Sequence, residues 1–211
     1  MHRTIDKLAL RGTTTIGVVG GDGIILASDT RVTMGAFIAH KKGKKIYKID
    51  DHLAMTISGS VADAQRTVEI LKINARLYRL DNKRPMPVSS AARLIANFFF
   101  SARLAPMIAQ VLVGGVDEAG PHIFALDPFG SLTEEKCVAT GSGSPIAFGV
   151  LEDKYKEDQS VHDLLPVIVQ SVNSAMKRDA ASGDSFDVAV IDKNGYCELG
   201  GEEKKRILTG S

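Results

Sequence analysis

Three threonines stand in a row directly behind a glycine in RGTTTIG, residues 11–17. Read for chemistry, the run offers a nucleophile. Proteolysis between Gly12 and Thr13 would expose Thr13 as a new N-terminus, and its hydroxyl would have its own α-amine close enough to accept a proton. A short removable leader, a glycine at the junction and a group of charged residues just downstream point the same way. The other reading is structural: threonine is β-branched, IGVV follows, and the run is the edge of a strand. The residues by themselves leave both readings open.

Other chemistries fit less well. GVVGGDG lacks the GxGxxG spacing and leads into IILASD, a strand, so it offers no helix N-terminus to a phosphate and reads as a hairpin turn. GSGSP at 141–145 precedes helical spacing but has no Lys and Ser/Thr pair behind it, and DPFG at 127–130 is a turn. The five histidines, His2, His40, His52, His122 and His162, show no HxxxH or HxxEH spacing and no CxxC accompanies them, so no metal and no cofactor is expected. A serine nucleophile elbow of the GxSxG type is missing from GSGSP and from SGS at 58–60.

The elements that must position the threonine follow from periodicity. TTTIGVV and IILASD around GGDG, and KKIYKI and LAMTISG around Asp50, Asp51 and His52, read as paired strands. From Val61 the pattern changes: Val61, Ala64, Val68, Leu71, Ala75 and Tyr78 recur at three and four residues, the mark of an amphipathic helix, with Ser60 and Asp63 at its start. PMP at 85–87 breaks it before a second helix through SSAARLIANFFFSARL. QVLVGGVD, HIFALD and CVATGSG return to strand chemistry, helical spacing resumes from about Pro145 to Lys177, and FDVAVID and YCEL flank a turn at Lys193, Asn194 and Gly195. Hairpins alternating with helix pairs suggest two antiparallel sheets stacked between two helix layers.

Composition narrows the class further. At 211 residues one core can bury most of the apolar surface, and a formal charge of +1 provides no field for nucleic acid or an anionic membrane. Cys137 and Cys197 are too few for a disulfide framework, which favours a reducing, cytoplasmic compartment. The most apolar stretch, IANFFFSARLAPMIAQVLVGG, is interrupted by Asn97, Ser101, Arg103, Pro106 and Gln110, so no membrane span is expected. MHRTIDKLALRG has no apolar core of the secretory kind.

Taken as a set, GTTTIG, SDTRVTMGAFIAHKKGKKIYKID, SGSVADAQ, VLVGGVD, TGSGSP and RDAASGD occur in the order and approximate spacing of the proteasome β subunit. From Gly12 to the C-terminal region the chain resembles this family, the archaeal type most closely. The resemblance implies an α+β fold, the four-layer αββα sandwich of N-terminal nucleophile hydrolases. It implies a removable propeptide at 1–12 and a single domain at 13–211, joined at the Gly12–Thr13 cleavage point. Thr13 matches the nucleophile, Asp29 and Lys45 the active-site acid and lysine, and Ser142, Asp179 and Ser182 the supporting polar residues. Gly59 matches the glycine whose N–H serves the oxyanion hole, and Val32, Thr33, Gly43, Ile57 and Val61 match the pocket for the residue before the cut. Thr14 and Thr15 keep the strand reading. The same resemblance implies a homo-heptameric β ring stacked on α-subunit rings, an ATPase regulatory cap and unfolded protein substrates.

Two related readings compete. The peptidase of the bacterial two-component ATP-dependent protease also begins with an exposed threonine, but GSGSP, RDAASGD and a 12-residue leader suit the proteasome type better. A non-catalytic β subunit would be expected to lack the nucleophile or its lysine, and this sequence has both Thr13 and Lys45. The identity of the base stays open. An α-amine titrates near about 7.7–8.0 and a free lysine near about 10.4, so Lys45 would need a downward shift of roughly 2 to 3 units to compete. Burial would lower it and Asp29 would oppose the shift.

Overall fold

Strands that read as nearly unbroken apolar runs, such as TIGVV and GIILASD, need cover on both faces. The computed structural model, which describes residues 12–35 and 37–209, provides it. In chain order the strands are β1 (Thr15–Val19), β2 (Gly23–Asp29), β3 (Val32–Met34), β4 (Phe37–His40), β5 (Ile46–Asp50), β6 (Leu53–Gly59), β7 (Ala109–Asp117), β8 (Gly120–Leu126), β9 (Leu132–Glu134), β10 (Cys137–Thr140), β11 (Phe186–Asp192) and β12 (Gly195–Glu198). The helices are α1 (Val61–Asn82), α2 (Val88–Ser101), α3 (Ser144–Lys154), α4 (Val161–Arg178) and α5 (Gly201–Thr209). Residues 1–11 of the expected propeptide lie outside the described residues.

One five-stranded sheet has the order β10-β1-β2-β11-β12, a second the order β5-β6-β7-β8-β9, and β3 pairs with β4. All the pairings are antiparallel. The side chains sort by the two-residue period of a strand into three cores. On β2, Ile25 and Ala27 join Leu164, Ile168 and Val172 of α4, while Ile24 and Leu26 face the other way and meet Leu112 and Ile123 of the second sheet. On β6 and β7, Met55, Ile57, Val111 and Val113 turn outward to Leu71 of α1 and to Ile95 and Phe99 of α2. The order of layers is therefore helix, sheet, sheet, helix. Each fully buried Ile or Leu contributes roughly 1.5–3 kcal/mol of transfer free energy, and the central layer alone includes Ile24, Leu26, Leu112, Ile123 and Ile191 at 0% exposure.

Turn chemistry accounts for the hairpins. Gly20–Gly23 closes β1 onto β2 with Gly20 N–H donating to Gly23 O at 2.8 Å, and Asn194 N–H donates to Asp192 Oδ1 at 2.7 Å between β11 and β12. Ser60 occupies the N-cap of α1, yet its side chain caps nothing. The Asp63 carboxylate instead accepts the Ile108 N–H at 3.0 Å, and Ser60 N–H donates to Ile108 O at 2.7 Å. The start of α1 is thus fixed by the segment entering β7 rather than by a local cap. The hairpin β3–β4, the three-residue β9 and the helix α5 were not expected from the sequence. α5 has no fully buried residue; it docks on α4, and its Lys204 Nζ donates to Phe186 O at the start of β11 at 2.7 Å.

Candidate active site

The first hairpin sets Asp29 beside the residue that follows Thr13 by register alone. Thr15 pairs with Ser28, so Thr14 lies opposite Asp29, the last residue of β2. Asp29 N–H donates to Thr14 O at 3.1 Å, and Thr14 N–H donates to Asp29 Oδ1 at 2.9 Å. Thr13 immediately precedes this pair. It is buried, and its Oγ1 donates to the carbonyl oxygen of Gly12 at 2.7 Å, so the hydroxyl lies directly on the peptide bond it is expected to break.

Lys45 enters just ahead of β5 and places Nζ 2.7 Å from Asp29 Oδ1, with side-chain exposures of 8% for Lys45 and 0% for Asp29. The other carboxylate oxygen, Oδ2, accepts Arg31 N–H at 3.0 Å and Gly183 N–H at 3.1 Å. Burial raises the Asp29 carboxyl above its ordinary value against the pull of Lys45 and of the Thr14 and Gly183 N–H groups. With four donors aimed at its two oxygens the group stays a carboxylate, since a proton would have to displace one of them. Burial also lowers Lys45 below the ordinary lysine value, and the carboxylates of Asp29 and Asp179 oppose that shift. The lysine is a buried cation held by an oriented anion, close to the arrangement that favours a developing alkoxide.

A second carboxylate organises the far side. Asp179, at the C-cap of α4, accepts the hydroxyls of Ser142 and Ser182 on Oδ2, both at 2.6 Å, and Ala181 N–H on Oδ1 at 3.3 Å. Ser182 Oγ is also 2.8 Å from Thr14 Oγ1. Thr14 is therefore not a plain strand residue: β1 starts one residue later, and both its N–H and its hydroxyl belong to this network. Thr15 keeps the strand reading as the first residue of β1, and its hydroxyl in addition bonds Thr140 Oγ1 at 2.6 Å on β10.

Two glycines of the site lie too close to neighbouring backbone to carry a side chain. Gly141 has φ +88°, and a Cβ there would overlap the Thr13 carbonyl. Gly59, the end of β6, has φ +129°, and a Cβ there would overlap the Ile108 carbonyl. Thr13, Lys45 and Gly59 open onto one cleft of about 760 Å³, whose walls also include Val32, Thr33, Gly43, Ile57 and Val61. Asp29, Ser142, Asp179 and Ser182 lie behind this cleft rather than on it. Sequence reasoning missed Arg31, whose guanidinium spans Asp184 Oδ2 at 2.8 Å and Ala180 O at 2.9 Å and so ties the end of β2 to the segment after α4. It also missed Tyr47 and Gln65 on the cleft wall. The only signal for Arg31 was its place two residues after Asp29.

Among the described residues no group of three or more His, Cys, Asp or Glu side chains could hold a metal ion, and no helix is long and apolar enough to cross a membrane. A family model for the proteasome subunit matches residues 9–191. The chain is 49% identical over 199 residues to the proteasome subunit beta of Methanosarcina barkeri, covering 94% of each chain. It is 49% identical over 197 residues to that of Methanosarcina mazei, covering 93% of this chain and 94% of the relative. Against the proteasome subunit beta of Methanothermobacter thermautotrophicus it is 47% identical over 204 residues, 96% of this chain and 97% of the relative.

Proposed function

The chain belongs to the proteasome subunit family, and we propose that it is a catalytic β subunit of the proteasome core in which Thr13 is the nucleophile of a threonine-type endopeptidase. The observation that carries this reading is the convergence of Thr13, the buried Lys45–Asp29 ion pair and Gly59 at one cleft. Residues 1–12 are then a propeptide. Thr13 Oγ, losing its proton to a nearby base, attacks the Gly12 carbonyl carbon, and the C–N bond breaks as the Thr13 nitrogen takes up a proton. The resulting ester is hydrolysed by water, leaving a Gly12 carboxylate and a free Thr13 amine.

The freed amine gains the role it lacked while tied up in a peptide bond. It takes the Thr13 hydroxyl proton when a second peptide is attacked and returns a proton to the leaving amine, while the Lys45 ammonium favours the alkoxide. The Gly59 N–H donates to the oxyanion. Ser142, Asp179 and Ser182 hold the amine in place through the hydroxyl network that reaches Thr14. A second peptide forms an ester with Thr13, releases its C-terminal part as an amine and leaves by hydrolysis. An apolar wall of Val32, Ile57 and Val61 favours hydrophobic residues before the cut.

Within the core we place the subunit in a homo-heptameric ring stacked on rings of α subunits, fed with unfolded protein by an ATPase cap, in the cytoplasm. Intact-mass measurement tests the central claim. The wild-type chain is expected to lose residues 1–12 and to hydrolyse fluorogenic peptides with Leu or Tyr before the cut. Thr13→Ala is expected to keep the leader and to hydrolyse nothing; a processed and active Thr13→Ala chain refutes the assignment.

A further inference from the structure

Three hydroxyls form a chain between the two sheets directly behind Thr13. Thr15 Oγ1, on β1, is 2.6 Å from Thr140 Oγ1 on β10, and Thr140 Oγ1 is 3.2 Å from Ser58 Oγ on β6. Ser58 Oγ in turn has the Gln110 backbone carbonyl as an acceptor at 3.5 Å. A carbonyl can only accept, so one proton order satisfies the series: Thr15 donates to Thr140, Thr140 to Ser58, and Ser58 to Gln110. Next to it a second bond crosses the same gap, Gly141 N–H to Gln110 Oε1 at 3.3 Å.

The neighbours of these residues make the chain matter. Thr15 is two residues after the nucleophile, Ser58 immediately precedes Gly59, and Gly141 follows Thr140 and lies against the Thr13 carbonyl. The nucleophile stands two residues ahead of β1 in one sheet, and the expected oxyanion donor is the last residue of β6 in the other. Most of the contact between those sheets is apolar packing, which is non-directional and tolerates small slides. A hydrogen-bonded bridge at this end has a preferred length and angle and does not.

We infer that Thr140 is a positioning residue that fixes the separation between Thr13 and the Gly59 backbone, an inference that rests on the reading of Thr13 and Gly59 proposed above. Removing its hydroxyl leaves the Thr15 hydroxyl, at 0% exposure, without its acceptor and leaves Ser58 without its donor. The sheets can then shift by a fraction of an ångström at the reacting atoms, where a misplacement of about 1 Å costs on the order of a hundredfold in rate. The apolar wall that binds the substrate side chain is not part of the bridge.

The test uses the assembled particle carrying wild type, Thr140→Val, Thr140→Ser and Ser58→Ala, with kcat and KM measured for a Leu-P1 fluorogenic peptide and self-cleavage followed by intact mass. Thr140→Val is expected to lower kcat by about tenfold or more and to slow self-cleavage, with KM within about twofold of wild type. Thr140→Ser, which keeps the hydroxyl, is expected to restore most of kcat. Thr140→Val with wild-type kcat, a change confined to KM, or a Thr140→Ser chain as slow as Thr140→Val overturns the inference. If Thr140→Val does not assemble, Ser58→Ala severs the β6 arm alone and is expected to show the same fall in kcat; unchanged turnover there overturns it equally. A wild-type particle that cleaves no peptide instead refutes the reading of Thr13, and the inference falls with it.

Discussion

Replacing Asp29 with Asn isolates the charge at the centre of the site. The side chain keeps its shape, but only one of its two ends can still accept. With Oδ1 toward Thr14 and Lys45, the amide hydrogens point at the N–H groups of Arg31 and Gly183; flipped, they point at Thr14 N–H and Lys45. Two donors are orphaned in either orientation, and the Lys45 ammonium loses its counter-charge in a site where its side chain is 8% exposed. Removing one partner of a buried pair costs about 3–5 kcal/mol. In a chain of this size that corresponds to a fall in Tm of roughly 6–20 °C. The comparison is made in a Thr13→Ala background, in which the proposed reaction leaves the leader on both chains, at one protein concentration, by thermal unfolding followed with circular dichroism.

The pH dependence of that deficit has a definite sign. Burial already lowers Lys45, and Asp29 is the main force opposing it. In the Asn variant the folded value drops further, while the unfolded chain returns to about 10.4. Between the two values the unfolded state binds a proton that the folded variant does not, so the variant gains stability as pH rises and loses it as pH falls. The gap between variant and parent should therefore narrow from about pH 7 to about pH 9. A Tm within about 2 °C of the parent, or a gap that widens with pH, refutes the account of the ion pair.

Further expectations are independent of this one. Gly141→Ala forces a Cβ into the Thr13 carbonyl at φ +88°, a strain of about 1–3 kcal/mol at the least, and should stall loss of the leader in a mass time course. Gly200→Ala, with nothing within 4 Å of its added carbon, should process normally. Burial beside Glu152 and Glu135 pushes the Cys137 thiol up to about 12, so iodoacetamide near pH 8 should label the exposed Cys197 and leave Cys137 untouched in the native chain. Equal labelling of the two would contradict that environment. Phe99→Ala, at a ring with 0% exposure between α2 and the second sheet, should lower stability by about 3–5 kcal/mol, read as a lower denaturant midpoint with an unchanged slope.

What could be read from the sequence is what is decided locally. GGDG between two β-branched runs fixes the first hairpin, and its register alone sets Asp29 opposite Thr14. Lys193, Asn194 and Gly195 do the same for β11 and β12. The layering followed from hairpins alternating with amphipathic helices, with both strand faces apolar. β3 and β4 were not legible because a hairpin of three and four largely exposed residues carries no buried alternation, and α5 because it has no fully buried residue and packs little more than Ile207 against the core. Lys45, Ser142, Asp179 and Ser182 reach Asp29 or Thr14 only through tertiary packing, with Thr14 and Ser182 separated by 168 residues, so no spacing rule could pair them. Resemblance to a family named them; in the fold Lys45 touches Asp29, and Ser142 and Ser182 touch Asp179. Thr15 is a strand residue as the sequence suggests, but that Thr14 stands just outside β1 was not legible, because a threonine that bonds another hydroxyl and one that merely favours extended backbone look alike in a sequence.

Gly12 has no side chain, and the space a Cβ would take is already filled by Ala181. Under the proposed reaction, the residue ahead of the first bond to be cut therefore borders the cleft with backbone alone and offers no side chain to the apolar wall of Val32, Ile57 and Val61. Under that reaction, selectivity draws on a side chain in the pocket and maturation does not. Substitutions that retune the pocket can accumulate without endangering the subunit's ability to arm itself, so the range of peptides destroyed is free to drift while the step that creates the enzyme stays the same.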